Sequence, residues 1–231
     1  MFDKAAGWLQ SPSPLLRARG ANVLSQLGVG GIGQKHSFPD ECFAVVAAML
    51  RIEKDSFPQE QAINALGHIG NPAAAPLVAA FAAHENTEVR FAVAVALGCF
   101  PNEPVSIDCL LVLMRDDDED VREWATFGLG RQGDADSDDI RAALMVRLDD
   151  PFVNVRLEAI ASLGKRRERR ILSVLLTALE KPEIPMAIVE ACWLMLGLEN
   201  DREDWTAADY AKALRERWEP VLAPYGNGKC L

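Results

Sequence analysis

The sequence predicts an all-α fold, a right-handed α-solenoid of about six helical hairpins closed by a C-terminal capping helix. Three observations predict it. A Leu-Gly pair recurs at Leu27-Gly28, Leu66-Gly67, Leu97-Gly98, Leu129-Gly130, Leu163-Gly164 and Leu196-Gly197, with glycine spacings of 39, 31, 32, 34 and 33 residues. The stretch before each pair is shared, most clearly in VRFAVAVALG (89–98), VREWATFGLG (121–130) and VRLEAIASLG (155–164). A second apolar helix stands upstream of each block, behind a short polar turn. A fixed period near 33 residues is the signature of stacked units that cannot bury their apolar faces alone.

The units follow in order. The first hairpin (3–28) carries LLRARGANVLSQLG, which keeps an arginine at Arg17. The connector VGGIGQKHSF (29–38) accounts for the long first spacing and reads as flexible. Hairpins are expected at 39–67, 72–98, 104–130, 138–164 and 170–197. Their first helices are FAVVAAML (43–50), PLVAAF (76–81), IDCLLVLM (107–114), IRAALMVRL (140–148) and ILSVLLTAL (171–179). Turns rich in Asp, Asn and Pro separate the two helices of a pair: HENTE (84–88), RDDDED (115–120), DDPFVN (149–154) and EKPEIP (180–185). In the last segment Trp205 precedes Thr206, with Asp209 three residues on, a capping signal with an apolar staple. This cap is expected over 205–219, and the tail 224–231 is expected to fray. The whole chain, 1–231, is read as one solenoid domain.

Within the ten-residue block, positions two, five, six and nine share a helical side and are expected to face the core. Small residues at five and six are expected to admit a neighbouring helix. The glycine at ten is expected to be a left-handed C-cap. Positions four and seven are expected to point toward a concave groove.

These residues resemble HEAT repeats, specifically the short bacterial type called PBS-lyase HEAT-like. The pattern of Asp/Pro turn, Val-Arg, small residue and Leu-Gly is matched from 86 to 164, and the resemblance covers about 15–200. It implies that Arg90, Arg122 and Arg156 link neighbouring repeats through turn carbonyls or acids. The stretch 121–180 further resembles bacterial HEAT-repeat proteins encoded beside Rhs-type polymorphic toxins. A fold of this kind hosts many functions, so activity has to be argued from a site.

Charge narrows the field. With 24 Lys and Arg against 34 Asp and Glu, the net charge is −10. A phosphate-tracking protein or one held electrostatically on an anionic membrane needs a cationic field, so neither nucleic acid nor membrane is expected as partner. The five cysteines, Cys42, Cys99, Cys109, Cys192 and Cys230, show no metal-ligand or disulfide spacing. Together with the lack of a secretory signal they point to the cytoplasm. A monomer is expected.

Nothing in the sequence suggests an enzyme, a cofactor or a metal. His84-Glu85 resembles one of the His-Glu pairs of deoxyhypusine hydroxylase, a HEAT-like di-iron enzyme, but it stands alone, and it reads as a polar turn. Asp134, Asp136 and Asp138 lack the Gly and Glu of an EF-hand loop and read, with Ser137 and Asp139, as a helix N-terminus. VGGIG (29–33) lacks the Lys of a phosphate loop. Lys165, Arg166, Arg167, Arg169 and Arg170 form a basic island, read as a solvated inter-repeat loop.

The candidate site is a protein-binding one. Position four runs Gln61, Ala92, Trp124, Glu158, Ala191, and position seven runs Asn64, Val95, Phe127, Ala161, Leu194. Trp124 and Phe127 therefore place aromatics on an otherwise small or polar groove, with Arg131 following, Phe91 and Glu123 flanking, and Glu158 of the next hairpin completing the candidate binding surface. Aromatic plus Arg is the composition of a binding hot spot. Asp116, Asp117 and Asp118, in the acid-rich turn, are expected to form an edge that steers a basic partner. The expected function is a non-enzymatic scaffold or adaptor that binds another protein with a basic surface. Alternatives are an immunity protein that neutralises a basic toxin and a phycobilin-lyase-like chromophore chaperone. A DNA-repair solenoid is a further reading, disfavoured by the charge.

Overall fold

A computed structural model describes residues 1–27, 38–199, 202 and 204–219. The connector 29–33, His36, Gly28, Cys230 and the tail 224–231 lie outside the described residues. The described residues form α-helices and no strand. The chain divides into two compact units, Met1–Ala135 and Asp136–Leu231.

The first unit holds α1 (Phe2–Trp8), α2 (Pro14–Gln26), α3 (Pro39–Leu50), α4 (Ser56–Ile69), α5 (Ala74–Ala79), α6 (Thr87–Gly98), α7 (Pro104–Leu113) and α8 (Glu119–Phe127). A π-helical turn, Gly128–Gln132, continues α8. The helices α2, α4, α6 and α8 pack on one another in succession. The second unit holds α9 (Asp138–Arg147), α10 (Val153–Lys165), α11 (Leu172–Ala178), α12 (Met186–Leu196) and α13 (Ala207–Trp218). Here α10 packs on α12, and α12 on α13.

Local chemistry starts these helices. Pro14, Pro39 and Pro104 stand in the first turns of α2, α3 and α7, where a missing N–H costs nothing. The side chains of Asn86, Asp118 and Ser137 accept first-turn amides of α6, α8 and α9. Thr206 and Asp209 form the expected reciprocal capping box on α13. Trp205 meets Tyr210 edge-on at 5.0 Å, as a staple requires.

The core is built on positions one, five, eight and nine. Val89, Val121 and Val155 at one, Val93, Ala125 and Ala159 at five, and Leu97, Leu129 and Leu163 at nine are all fully buried. Position six is buried as well, as Ala94, Thr126 and Ile160. At position two Arg122 is buried, while Arg90 and Arg156 are half-buried, and all three turn toward the inter-helix turn.

The expectation of left-handed glycine caps is corrected. Among the described residues only Gly70 and Gly197 have positive φ, 75° and 74°. Gly197 alone of the described Leu-Gly glycines ends its helix this way, with the amides of Gly197 and Leu198 donating to Leu194 and Trp193 carbonyls. Gly67 and Gly164 lie inside their helices and Gly98 is the last residue of α6, where backbones meet. A Cβ on Gly67 would sit 2.9 Å from Ala96 Cα, one on Gly128 3.1 Å from Gly98 Cα, and one on Gly164 2.6 Å from Ala191 Cα. Close approach, not chain reversal, requires glycine there. In the first unit the residue at position ten meets position eight of the next second helix, so the spacing role expected of five and six belongs to eight and ten.

The repeat arginines act as turn clamps. Arg90 Nη1 donates to the carbonyls of His84 and Glu85, Arg122 to those of Asp116 and Asp117, and Arg156 to those of Asp150 and Pro151. Arg17 does the same to Ser11 and Pro12. Two of these arginines also reach the next hairpin. Arg17 forms a two-pronged pair with Glu53 at 2.6 and 2.9 Å, and Arg90 with Asp116 at 2.7 and 2.9 Å. Paired, two-pronged bonds to a carboxylate fix orientation as well as distance.

Candidate functional site

In the first unit the clamps hold the second helices side by side, and the faces they leave outward carry the expected cluster. Trp124 on α8 meets Phe91 on α6 edge-on at 6.0 Å between centroids. It also meets Phe127, one turn along, at 5.6 Å. The Arg131 guanidinium lies 5.6 Å from the Phe127 ring centre. Edge-to-face contacts of this kind add to area burial and hold the rings in place. Trp124 nevertheless remains 37% exposed. It both packs on the preceding hairpin and presents a face outward. Phe91, Glu123, Phe127 and Arg131 are half-buried around it. The π-helical turn that carries Arg131 has no signal in the residue pattern.

The acidic turn is placed differently from the rest of the cluster. Asp116 is engaged by Arg90 and also accepts the Asp118 amide. Burial alone would raise its carboxyl, but the Arg90 bond and the Asp118 amide outweigh that and hold it below the ordinary carboxylate range. The Asp118 carboxylate accepts the amides of Asp120 and Val121 at the start of α8. Asp117 is exposed. Two of the three acids thus serve the architecture. Beside them an open cleft of about 510 Å³ is lined by His84, Arg90, Arg115 and Asp117 among others. His84 Nδ1 accepts the Asn86 amide, a turn role for the His-Glu pair.

Glu158 belongs to the second unit, half-buried on α10. That unit also contains the basic island, which is not simply solvated. Arg170 and Arg141 both bond Glu168, and Arg141 takes Asp136 at 2.7 Å through two nitrogens. The Arg170 bonds first, then those of Arg141, lower the Glu168 carboxyl to about 2 against the opposing effect of burial. Arg166 is buried and donates to the Ser162 carbonyl. Arg169 lies over the Trp218 ring at 5.0 Å. A trough of about 630 Å³ lies in the same unit, floored by Leu157, Ile160, Val174 and Ile188.

Cys42, Cys109 and Cys192 are buried free thiols; burial pushes Cys109 up to about 11 and Cys192 to about 12, away from reactivity. Among the described residues no three His, Cys, Asp or Glu side chains are grouped to hold a metal ion. No helix among them is long and apolar enough to cross a membrane.

Comparison with known proteins agrees with this architecture. Protein YibA of Escherichia coli strain K12 is 37% identical over 107 residues, 46% of this chain and 38% of YibA. The chain therefore matches well under half of that relative's length. The alpha subunit of the phycocyanobilin lyase of Thermosynechococcus vestitus is 38% identical over 76 residues, 33% of this chain and 28% of that one. The X-ray structure of YibA superposes with a TM-score of 0.69 at 25% identity, covering 93% of this chain and 80% of that one. The complex of CpcE and CpcF of phycocyanin lyase from Nostoc sp. PCC7120 gives 0.59 at 16% identity, covering 96% and 94%, a likeness of fold. HEAT repeats are recognised over 43–130 and 107–195, well over half of the sequence. With its stacked hairpins, arginine clamps and Val-Arg…Leu-Gly blocks, the chain belongs to the HEAT-repeat family.

Proposed function

We propose that the protein is a non-enzymatic scaffold or adaptor that binds another protein on the aromatic face of its first unit. One observation carries the reading: Trp124, over a third exposed, is held edge-on by Phe91 and Phe127 with Arg131 at its margin. A rigid, partly exposed tryptophan beside an arginine suits a hot spot, because little side-chain entropy remains to be lost on binding. The charge of −10 favours a partner with a basic surface. A toxin neutralised by its immunity protein would be one such partner. In this reading Asp116 and Asp118 hold the face in place, and exposed Asp117 contributes steering.

The test is a pull-down from the native host with the wild type and the Trp124→Ala/Phe127→Ala variant, followed by affinity measurement on the captured partner. Loss of that partner with the variant still folded supports the reading. Equal capture by both removes it.

A second reading is a chromophore chaperone. The partial likeness to a phycocyanobilin lyase subunit favours it, and the second unit's trough has room for an extended small molecule. A shifted, enhanced visible absorbance on adding phycocyanobilin would support it; an unchanged spectrum would exclude it.

A further inference from the structure

The aromatic cluster is part of a longer strip. On a helix, residues at i, i+3, i+4 and i+7 share a face. On α8 the face that holds Trp124 and Phe127 also holds Asp120 and Glu123; the matching face of α6 holds Glu88, Phe91, Val95 and the buried Ala92, and that of α4 holds Phe57, Glu60, Gln61 and Asn64. These helices pack in the order α4, α6, α8. Each of the three neighbouring helices thus brings at least one acid and one aromatic to this face, and no Lys or Arg occupies any of those positions. Phe57 is 48% exposed, and Glu88 and Asp120 are exposed. Glu60 is half-buried, and its carboxyl accepts from Gln61 at 2.7 Å. Burial raises that carboxyl, the Gln61 bond only partly offsets the rise, and the negative charge of Glu88 adds to it. Two carboxylates that oppose each other in this way favour a cation between them.

We infer that the strip is a docking track for a short extended segment of a partner protein that carries Lys or Arg beside an aromatic or large aliphatic residue. This rests on the function proposed above and names the chemistry of its partner. The cationic side chains meet Glu60, Glu88, Asp120 and Glu123, while the apolar residue covers Trp124 and Phe127. Arg131 at the far margin repels further cations, so the segment runs with its basic end toward α4. Helices pack about 8–10 Å apart, so three span about 20 Å. An extended chain covers that in about six residues.

The test uses fluorescein-labelled synthetic peptides of about nine residues. One is built of Lys, Phe and Ser; one has Gln for each Lys; one has Glu for each Lys. Anisotropy titrations compare wild type, Glu60→Lys/Glu88→Lys, the milder Glu60→Gln/Glu88→Gln, Asp117→Lys and Trp124→Ala/Phe127→Ala, each checked for unchanged helicity. The Lys peptide is expected to bind. Its affinity should fall by about tenfold or more in the Lys double variant, less in the Gln one, and by under about twofold in Asp117→Lys. The Gln peptide should bind about tenfold more weakly, and the Glu peptide more weakly still. No binding of the Lys peptide, equal binding of the Gln peptide, or equal effects of Asp117→Lys and Glu60→Lys/Glu88→Lys would overturn the inference. If the aromatic double variant abolishes binding while the glutamate variants leave it intact, this inference fails and the proposed face stands. If the aromatic variant has no effect, both fail.

Discussion

The two units use one helical period with different glue. In the first, Arg17 and Arg90 each grip the carbonyls of their own turn and a carboxylate of the next hairpin, Glu53 and Asp116. In the second, Arg156 holds only turn carbonyls, and α12 has Val189 where the block carries arginine. The joining work there falls to Asp136, Arg141, Glu168 and Arg170. The outer faces differ too. Across α4, α6 and α8 they carry Phe57, Glu60, Glu88, Phe91, Asp120, Glu123, Trp124 and Phe127, beside Gln61, Asn64 and Val95. On α10 they are Asn154, Leu157 and Glu158, and on α12 Ala187, Glu190 and Leu194, while Ala161 and Ala191, at the positions expected to face the groove, are buried. The clamp arginines and the buried residues at positions one, five and nine lie off the exposed part of the outer face. A unit can therefore vary the residues of its outer face without changing its scaffold.

Glycine substitution should give the largest effects. Gly164→Ala places a Cβ 2.6 Å from a backbone carbon of α12, against 2.9 Å at the α4–α6 crossing for Gly67→Ala. Overpacking of this kind costs about 1–3 kcal/mol, with Gly164→Ala at the upper end. Gly7→Ala on α1 meets nothing within 4 Å and should stabilise by up to ~1 kcal/mol. Urea denaturation of the three variants checks the order; equal losses at Gly7 and Gly164 would contradict close approach as the reason for glycine.

Next come the clamps. Arg90→Ala removes a paired carboxylate and two carbonyl bonds, and should cost about 2–3 kcal/mol. Arg156→Ala, which loses only carbonyl bonds, should cost about 1 kcal/mol. Thermal melts that rank them the other way would break the distinction between the units.

Acid should separate the units as well. The Glu168 carboxyl titrates at about 2 in the folded chain, below its ordinary 4.5. Its contribution to stability is complete above that ordinary value and is lost as pH falls through 4.5 toward 2. Glu168→Gln should lower stability at neutral pH and flatten this part of the acid transition. An unchanged pH profile in chemical denaturation would show that Glu168 does not hold the second unit.

The smallest stability effect is expected from Trp124→Ala, about 1 kcal/mol or a little more, since the ring is partly exposed and packed mainly by its edges. A loss above about 3 kcal/mol in urea denaturation would make it a core residue.

Much of this was legible in the residues. Leu at nine, small residues along the buried side and the Thr206–Asp209 box follow from local period and capping chemistry. The aromatic pair also stood out, because position four and seven could be compared across units. The glycines were misread because a Leu-Gly ending looks the same whether glycine reverses the chain or admits a neighbour. Only the neighbour, Ala96 or Ala191, decides between them. Asp116 looked like a surface charge, and its partner Arg90 lies 26 residues away, a separation that local pattern does not connect. Glu60 and Glu88 were passed over for a related reason, since each is an ordinary surface acid until α4 and α6 are set side by side.

A partner seated on the first unit's aromatic and acidic face must slow amide exchange in the helices beneath it. Hydrogen–deuterium exchange of the protein, free and bound to its captured partner, tests this most directly. The account predicts new protection concentrated on α6 and α8, extending to α4, with α10 and α12 unchanged. Protection confined to α10 and α12 would contradict it.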